Sequence, residues 1–233
     1  MSKQEITVVL VHGAWADGSS WTRVIEGLRA RGQRAVAAQL PLTAFEDDVV
    51  ALNRVIGHID GPVVLVGHAY AGAVIGAAKP RNVKALAYVA ALTPDEGETV
   101  ADVFFRTEPH PLAAKLAPEA DGFLWMPEAA FATAVAPEAS AGDNAVLAVV
   151  QKPIALAAIT TPVRRPLWRD LPSWYLQAEA DIMIVAANQR FMADRMGAKV
   201  VSHPVDHSPQ MAHPDLVVDF ILDAVRGSAN PDQ

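Results

Sequence analysis

Residues 63–72, Val-Val-Leu-Val-Gly-His-Ala-Tyr-Ala-Gly, constrain this chain more than any other stretch. Val63, Val64, Leu65 and Val66 are apolar and mostly β-branched, as in a short buried strand. A run of small residues follows, Ala71, Gly72, Ala73, Gly76, Ala77 and Ala78, which suits a helix packed closely on a sheet. Gly67 and Ala71 frame a tight strand-to-helix turn between the two. In such a turn the middle residue stands above the sheet on a strained backbone, where enzymes of this design carry a nucleophilic serine. Here that residue is Ala69. A methyl group cannot attack a carbonyl carbon.

The rest of the chain repeats the same alternation. Ile6–Val11 reads as a strand that ends in His12-Gly13-Ala14-Trp15, so this glycine turn falls at the C-terminal edge where α/β sheets bind ligands. Asp17, Ser19 or Ser20 can cap a helix whose apolar positions are Trp21, Val24, Ile25 and Leu28, and Gly32 ends it. Ala35–Ala38 is a weaker strand. Phe45–Ile59 is a helix with Val49, Leu52, Val55 and Ile56 on one stripe, and Val83–Ala91 is another buried strand. Strands alternating with helices predict an α/β fold, a mostly parallel, doubly wound sheet.

From Thr93 to Leu171 the rhythm breaks into prolines, alanine-rich pieces and the aromatics Phe104, Phe105, Trp125 and Trp168. A loop of that length is functional or carries its own helices. The expected organisation is therefore a core of residues 1–92 and 172–233, with residues 93–171 inserted as a helical cap. Pro172–Leu176 resumes the sheet, Ala187–Met196 is helical and Lys199–Val201 is a last strand. Pro214 then opens a closing helix with Val217, Phe220, Ile221, Ala224 and Val225 inward.

Composition excludes several classes of function. Zero cysteines among 233 residues remove disulfides, thiolate metal sites and a cysteine nucleophile. A formal net charge of −7 argues against nucleic acid or an anionic membrane as partner. The opening Met-Ser-Lys-Gln-Glu has no apolar signal segment, so the expected location is cytoplasmic. No cofactor and no metal are expected: His203 and His207 are four apart, but Pro204 and the absence of further ligands disfavour a metal site. A homodimer is left open.

Acyl-transfer chemistry needs a nucleophile, a base with an orienting acid, and donors for the oxyanion. Asp181 follows the strand near Trp174–Leu176, with Glu179 as the rival acid. His207 follows the strand at Val200–Val201, and competes with His12, His58, His68, His110, His203 and His213. The chain order nucleophile, acid, histidine fits Ala69, Asp181 and His207. The Tyr70 and Ala14 amides are the expected oxyanion donors. His12, Trp15, His68, Trp125 and Trp168 are the expected lining of a substrate pocket.

Val-His-Gly-Ala-Trp at 11–15, Gly-His-Ala-Tyr-Ala-Gly at 67–72 and Asp206-His207-Ser208-Pro209-Gln210-Met211-Ala212-His213-Pro214 together resemble the α/β-hydrolase superfamily. The nearest branch is that of small bacterial esterases related to plant methylesterases and hydroxynitrile lyases. The likeness spans nearly the whole chain, including Ala91–Gly97 where the cap begins. It implies hydrolysis of a small-molecule carboxylic ester without a cofactor, with position 69, Asp181 and His207 as nucleophile, acid and base. Two residues depart from the pattern in ways that bear on activity. Ala69 removes the attacking oxygen. Ser208 stands where the plant lyases have lysine, which disfavours cyanohydrin cleavage. Ala71 in place of the usual glycine is a milder change.

Three readings of Ala69 follow. In the favoured one a serine was replaced to trap intact substrate, since alanine keeps the strained turn and removes only the hydroxyl, whereas drift would favour glycine. In the second, a natural lyase or cyclase uses His207 and Asp181 as a base without serine. In the third, the pocket binds a small ligand without catalysis.

Overall fold

The computed structural model describes residues 5–79 and 82–229. Most of the N-terminal segment read for targeting, residues 1–4, lies outside the described residues. The elements run β1 (Thr7–Val11), α1 (Thr22–Ala30), β2 (Ala35–Ala38), α2 (Phe45–Gly57), β3 (Val63–His68), α3 (Ala71–Gly76) and β4 (Val83–Val89). Shorter pieces follow: α4 (Val100–Phe104), β5 (Phe123–Leu124), α5 (Glu128–Ala130), α6 (Ala141–Val150), β6 (Ile154–Ala155) and α7 (Leu156–Thr160). The last third holds β7 (Ser173–Ala178), α8 (Ala186–Met196), β8 (Lys199–His203), α9 (Pro209–Ala212) and α10 (Pro214–Ala229).

Six strands form one sheet in the order β2-β1-β3-β4-β7-β8. Every neighbouring pair in it is parallel. The two-residue period of a strand divides its side chains between two cores. Val8 and Leu10 of β1, with Val64 and Val66 of β3, pack on Trp21, Val24 and Leu28 beside α1 and on Val217 and Ile221 of α10. Val9, Val11 and Leu65 point the other way, toward Leu52 and Ile56 of α2, Val74 and Ile75 of α3, and Met192 of α8. Helices therefore cover both faces: β1, β3 and β7 are buried on both sides and β4 at all but Lys84, whereas the edge strands β2 and β8 are only partly buried.

Residues between β4 and β7 carry short helices and a two-stranded antiparallel pair, Phe123–Leu124 with Ala155–Ile154. That pair was not expected, because two residues per strand are too few to set up a readable period. Three hydrogen bonds fasten this segment to the loop after β2 and to the loop after β1. Ala155 N donates to Leu42 O at 2.9 Å. Trp15 Nε1 donates to Leu124 O at 2.9 Å. Lys152 Nζ donates to Leu40 O.

The small residues of α3 have a steric cause. A Cβ built at Gly72 would lie 2.5 Å from the Leu92 carbonyl oxygen, so only glycine lets the helix approach the β4 turn this closely.

Candidate active site

The chain leaves β1 for β2 on one side and returns from β2 to β3 on the other. The adjacent C-terminal ends of β1 and β3 thus form the crevice where doubly wound sheets place ligands. Ala69, directly after β3, has φ of +49°, in the left-handed region that L-residues avoid. Neighbours hold it there: its carbonyl accepts from Gly72 N at 3.1 Å and Leu92 N at 2.9 Å, and its amide donates to Val89 O at 3.3 Å. The turn after β1 leans on it, since a Cβ at Gly13 would come within 3.1 Å of the Ala69 methyl carbon. Among the described residues, the amides of Ala14 and Tyr70 donate to no protein acceptor. Tyr70 is the cap residue of α3, whose first N–H groups have no partner within the helix.

Asp181 and His207 meet beneath this turn. His207 Nδ1 donates to Asp181 Oδ2 at 2.8 Å, and both residues are buried. The carboxylate is held on every side: Oδ1 accepts from Met183 N at 2.7 Å and Ile184 N at 2.8 Å, and Oδ2 accepts a second bond from Gln189 Nε2 at 2.8 Å. With Nδ1 committed as donor, Nε2 of neutral His207 presents a lone pair. Burial pulls the His207 pKa down, but the adjacent Asp181 charge and hydrogen bond, with Asp206 further out, outweigh it and raise the pKa above the ordinary histidine value. Glu179, the rival acid, is exposed and accepts from Ser202 Oγ at 2.7 Å. Asp206 turns away from the ring beside it, accepting from Ser208 N and Glu138 N, both at 2.8 Å.

A cavity of about 740 Å³ opens over these groups, within the range of small-molecule sites. Ala14, Trp15, His68, Ala69, Tyr70 and His207 lie at its base. Phe104, Leu124, Phe131, Leu147, Ile154 and Met183 give apolar walls, and Glu108, His110 and Lys115 line it from the irregular 105–118 stretch. Phe131–Val135 is a π-helical turn, and its Val135 carbonyl accepts from Ser208 Oγ at 2.7 Å, next to His207. Among the described residues no cluster of three or more His, Asp or Glu is placed to hold a metal, and no helix is long and apolar enough to cross a membrane.

Three of the residues expected to line the pocket do not. His12 is fully buried behind its loop, with Nδ1 donating to Gly13 O at 2.8 Å and Nε2 accepting from Leu40 N at 3.0 Å. Desolvation lowers its pKa to about 4, so it is a neutral brace. Trp125 is 44% exposed, because alternation along β5 turns Leu124 inward and the next side chain out. Trp168 packs outside the cavity, under Arg195 at 5.7 Å and Arg169 at 5.6 Å. Conversely, Ser208, Gln210 and Asp48 carry contacts at or behind the site that the sequence reading did not assign. Asp48 stands in the acidic run Glu46-Asp47-Asp48 at a helix start, which by itself reads as favourable charge on the helix dipole.

A parallel sheet with helices on both faces, a left-handed residue after β3 and an aspartate–histidine pair after β7 and β8 define an α/β-hydrolase. The chain belongs to the alpha/beta hydrolase family, whose family model matches residues 8–220. It is similar to the alpha/beta hydrolase nvfD of Aspergillus novofumigatus (strain IBT 16806), 24% identical over 240 residues that cover 93% of this chain and 95% of that protein. Among solved structures, a serine-to-alanine variant of the pyrethroid hydrolase PytH superposes with a TM-score of 0.86 at 23% identity, covering 97% of this chain and 99% of that one. A variant of polyneuridine aldehyde esterase gives a TM-score of 0.81 at 20% identity, covering 94% and 99%. A histidine-to-alanine variant of tomato methylketone synthase I, complexed with β-ketoheptanoate, gives 0.82 at 17% identity, covering 96% and 99%.

Proposed function

We propose that the cavity binds a small, largely apolar carboxylic ester or related carbonyl compound. Its carbonyl oxygen faces the Ala14 and Tyr70 amides, and its reacting carbon lies over Ala69. The observation that carries this reading is the His207–Asp181 pair, 2.8 Å apart, whose histidine lines the same cavity as Ala69. The esterase fold relatives support an ester as the substrate class. In the family's chemistry, a hydroxyl at position 69 would lose its proton to His207 Nε2 as it attacked the carbonyl, while Asp181 held the imidazole and the two amides took the oxyanion. Alanine supplies no hydroxyl. As it stands the chain therefore forms no acyl-enzyme and holds the ester intact. The test is hydrolysis of p-nitrophenyl butyrate by this chain, by Ala69→Ser, and by Ala69→Ser with His207→Ala. Activity gained with serine and lost again with His207→Ala is the expected result; no gain would overturn the hydrolase reading.

A second reading rests on Nε2 of His207, which has no hydrogen-bond partner among the described residues. A base or acid there serves reactions that need no attacking residue, such as proton transfer at an enolate. The β-ketoheptanoate in methylketone synthase supports a β-keto acid as ligand class. Turnover of a β-keto acid by the alanine chain, abolished by His207→Ala, would favour this reading over the first.

A further inference from the structure

A buried carboxylate outside the aspartate–histidine pair has no part in the chemistry so far. Asp48, on the first turn of α2, is completely buried. Its Oδ2 accepts from the Tyr70 hydroxyl at 2.6 Å, and its Oδ1 accepts from Leu42 N at 2.7 Å. An isolated carboxylate is costly to bury, and a phenylalanine at 70 facing an apolar residue at 48 would fill the same space with less desolvation. What the carboxylate adds is direction. It fixes the far end of the Tyr70 ring, and Tyr70 is a residue whose amide donates to no protein acceptor among the described residues.

The second contact of Asp48 reaches the other amide. Leu42 has φ of +61°, a left-handed conformation at a bulky residue that the bond to Asp48 helps hold. Two residues back on the same loop, Leu40 N donates to His12 Nε2 at 3.0 Å, and His12 Nδ1 closes onto Gly13 O at 2.8 Å, next to Ala14. One loop, residues 40–42, is thus tied through Asp48 to Tyr70 and through His12 to the turn that carries Ala14. The two amides sit on turns after different strands, and this loop is a buried hydrogen-bonded path between them.

We propose that Asp48 is a positioning residue for the carbonyl-binding amides, acting on Tyr70 directly and on Ala14 through Leu42, Leu40 and His12. This rests on the reading that Ala14 and Tyr70 receive a carbonyl or carboxylate oxygen. The isosteric changes Tyr70→Phe and Asp48→Asn each break the Asp48–Tyr70 link with little change of volume. The probe is hexanoate, whose carboxylate presents the same kind of oxygen and whose tail suits the apolar walls. In the protein with Ala69 intact, saturating hexanoate should move the backbone amide resonances of Tyr70 and Ala14 downfield. Tyr70→Phe should at least halve the Tyr70 response and reduce that of Ala14, with the methyl spectrum of the core unchanged. Asp48→Asn should act in the same direction. In the Ala69→Ser background, Tyr70→Phe should lower kcat about tenfold with KM within about twofold, and adding Asp48→Asn should cost little more, as for two members of one unit. Full responses in the unsubstituted chain that persist undiminished in Tyr70→Phe would overturn the positioning role alone. Silence of both amides in the unsubstituted chain would overturn the carbonyl site and the positioning role together.

Discussion

His68 Nε2 donates to the backbone carbonyl of His207 at 2.7 Å, so the residue before Ala69 anchors the peptide that carries the proposed base. The two imidazole centroids lie 4.7 Å apart, and burial, followed by the proximity of His207, lowers the His68 pKa to about 3. His68 is therefore neutral, with its proton on Nε2. His68→Phe should keep much of the packing and leave the His207 carbonyl without its donor. A loss of about 1–3 kcal/mol in urea unfolding is expected. In the Ala69→Ser background kcat should also fall, because the peptide bearing the base is no longer fixed.

The pH dependence of an Ala69→Ser enzyme has a defined direction. Only neutral His207 can accept a proton, and Asp181 raises the His207 pKa above its ordinary 6.5. kcat/KM should therefore be low at pH 6 and rise to a plateau through a midpoint above 6.5. Asp181→Asn should lower the plateau by up to about 10⁴-fold, through the wrong tautomer. A profile that is flat from pH 6 to 9 would exclude His207 as the base.

Acid should weaken the fold through two histidines. The pKa of His12 is about 4 and that of His68 about 3, both depressed by burial from 6.5. Between pH 6.5 and those values the unfolded chain binds more protons than the folded one, so stability falls as pH falls. For His12 alone the loss should reach about 3 kcal/mol below pH 4. His207 acts oppositely: its raised pKa contributes stability that is present below 6.5 and is lost as pH rises through the folded value. Urea midpoints measured from pH 7.5 to 4 check the net fall, and His12→Asn should flatten it.

Backbone strain at Ala69 gives a stability test that is independent of any substrate. Alanine at φ of +49° carries a Cβ penalty that glycine lacks. Ala69→Gly should stabilise the protein by up to about 1 kcal/mol, the backbone relief being partly offset by greater freedom of the unfolded chain. Thermal or urea unfolding of the two proteins decides it. Equal or lower stability with glycine would mean that contacts of the Ala69 methyl outweigh the strain.

Much of this arrangement was legible in the sequence where one residue type has one physical use. Apolar runs marked β1, β3 and β4, and Asp181 and His207 could be singled out because each follows a strand and precedes a helix. What stayed hidden depended on direction rather than type. His12 lies in the right loop, but its ring turns into the protein toward Leu40 N. Trp125 and Trp168 are aromatic and lie between β4 and β7, yet one faces solvent and the other packs outside the cavity. Asp48 shares a helix turn with Glu46 and Asp47, and only the path of the loop from Leu40 to Leu42 separates the buried carboxylate from the solvated ones.

The left-handed turn at Ala69 is held by bonds to its own backbone from Gly72, Leu92 and Val89, none of which involves a side-chain hydroxyl. The socket therefore does not depend on what its side chain carries. A change of the one side chain at this position alters which atoms face the cavity and leaves the hydrogen bonds that shape the turn in place. Such a change asks for no adjustment elsewhere in the chain, so overall likeness to esterases reports on the frame and is silent on the atom that stands at its centre.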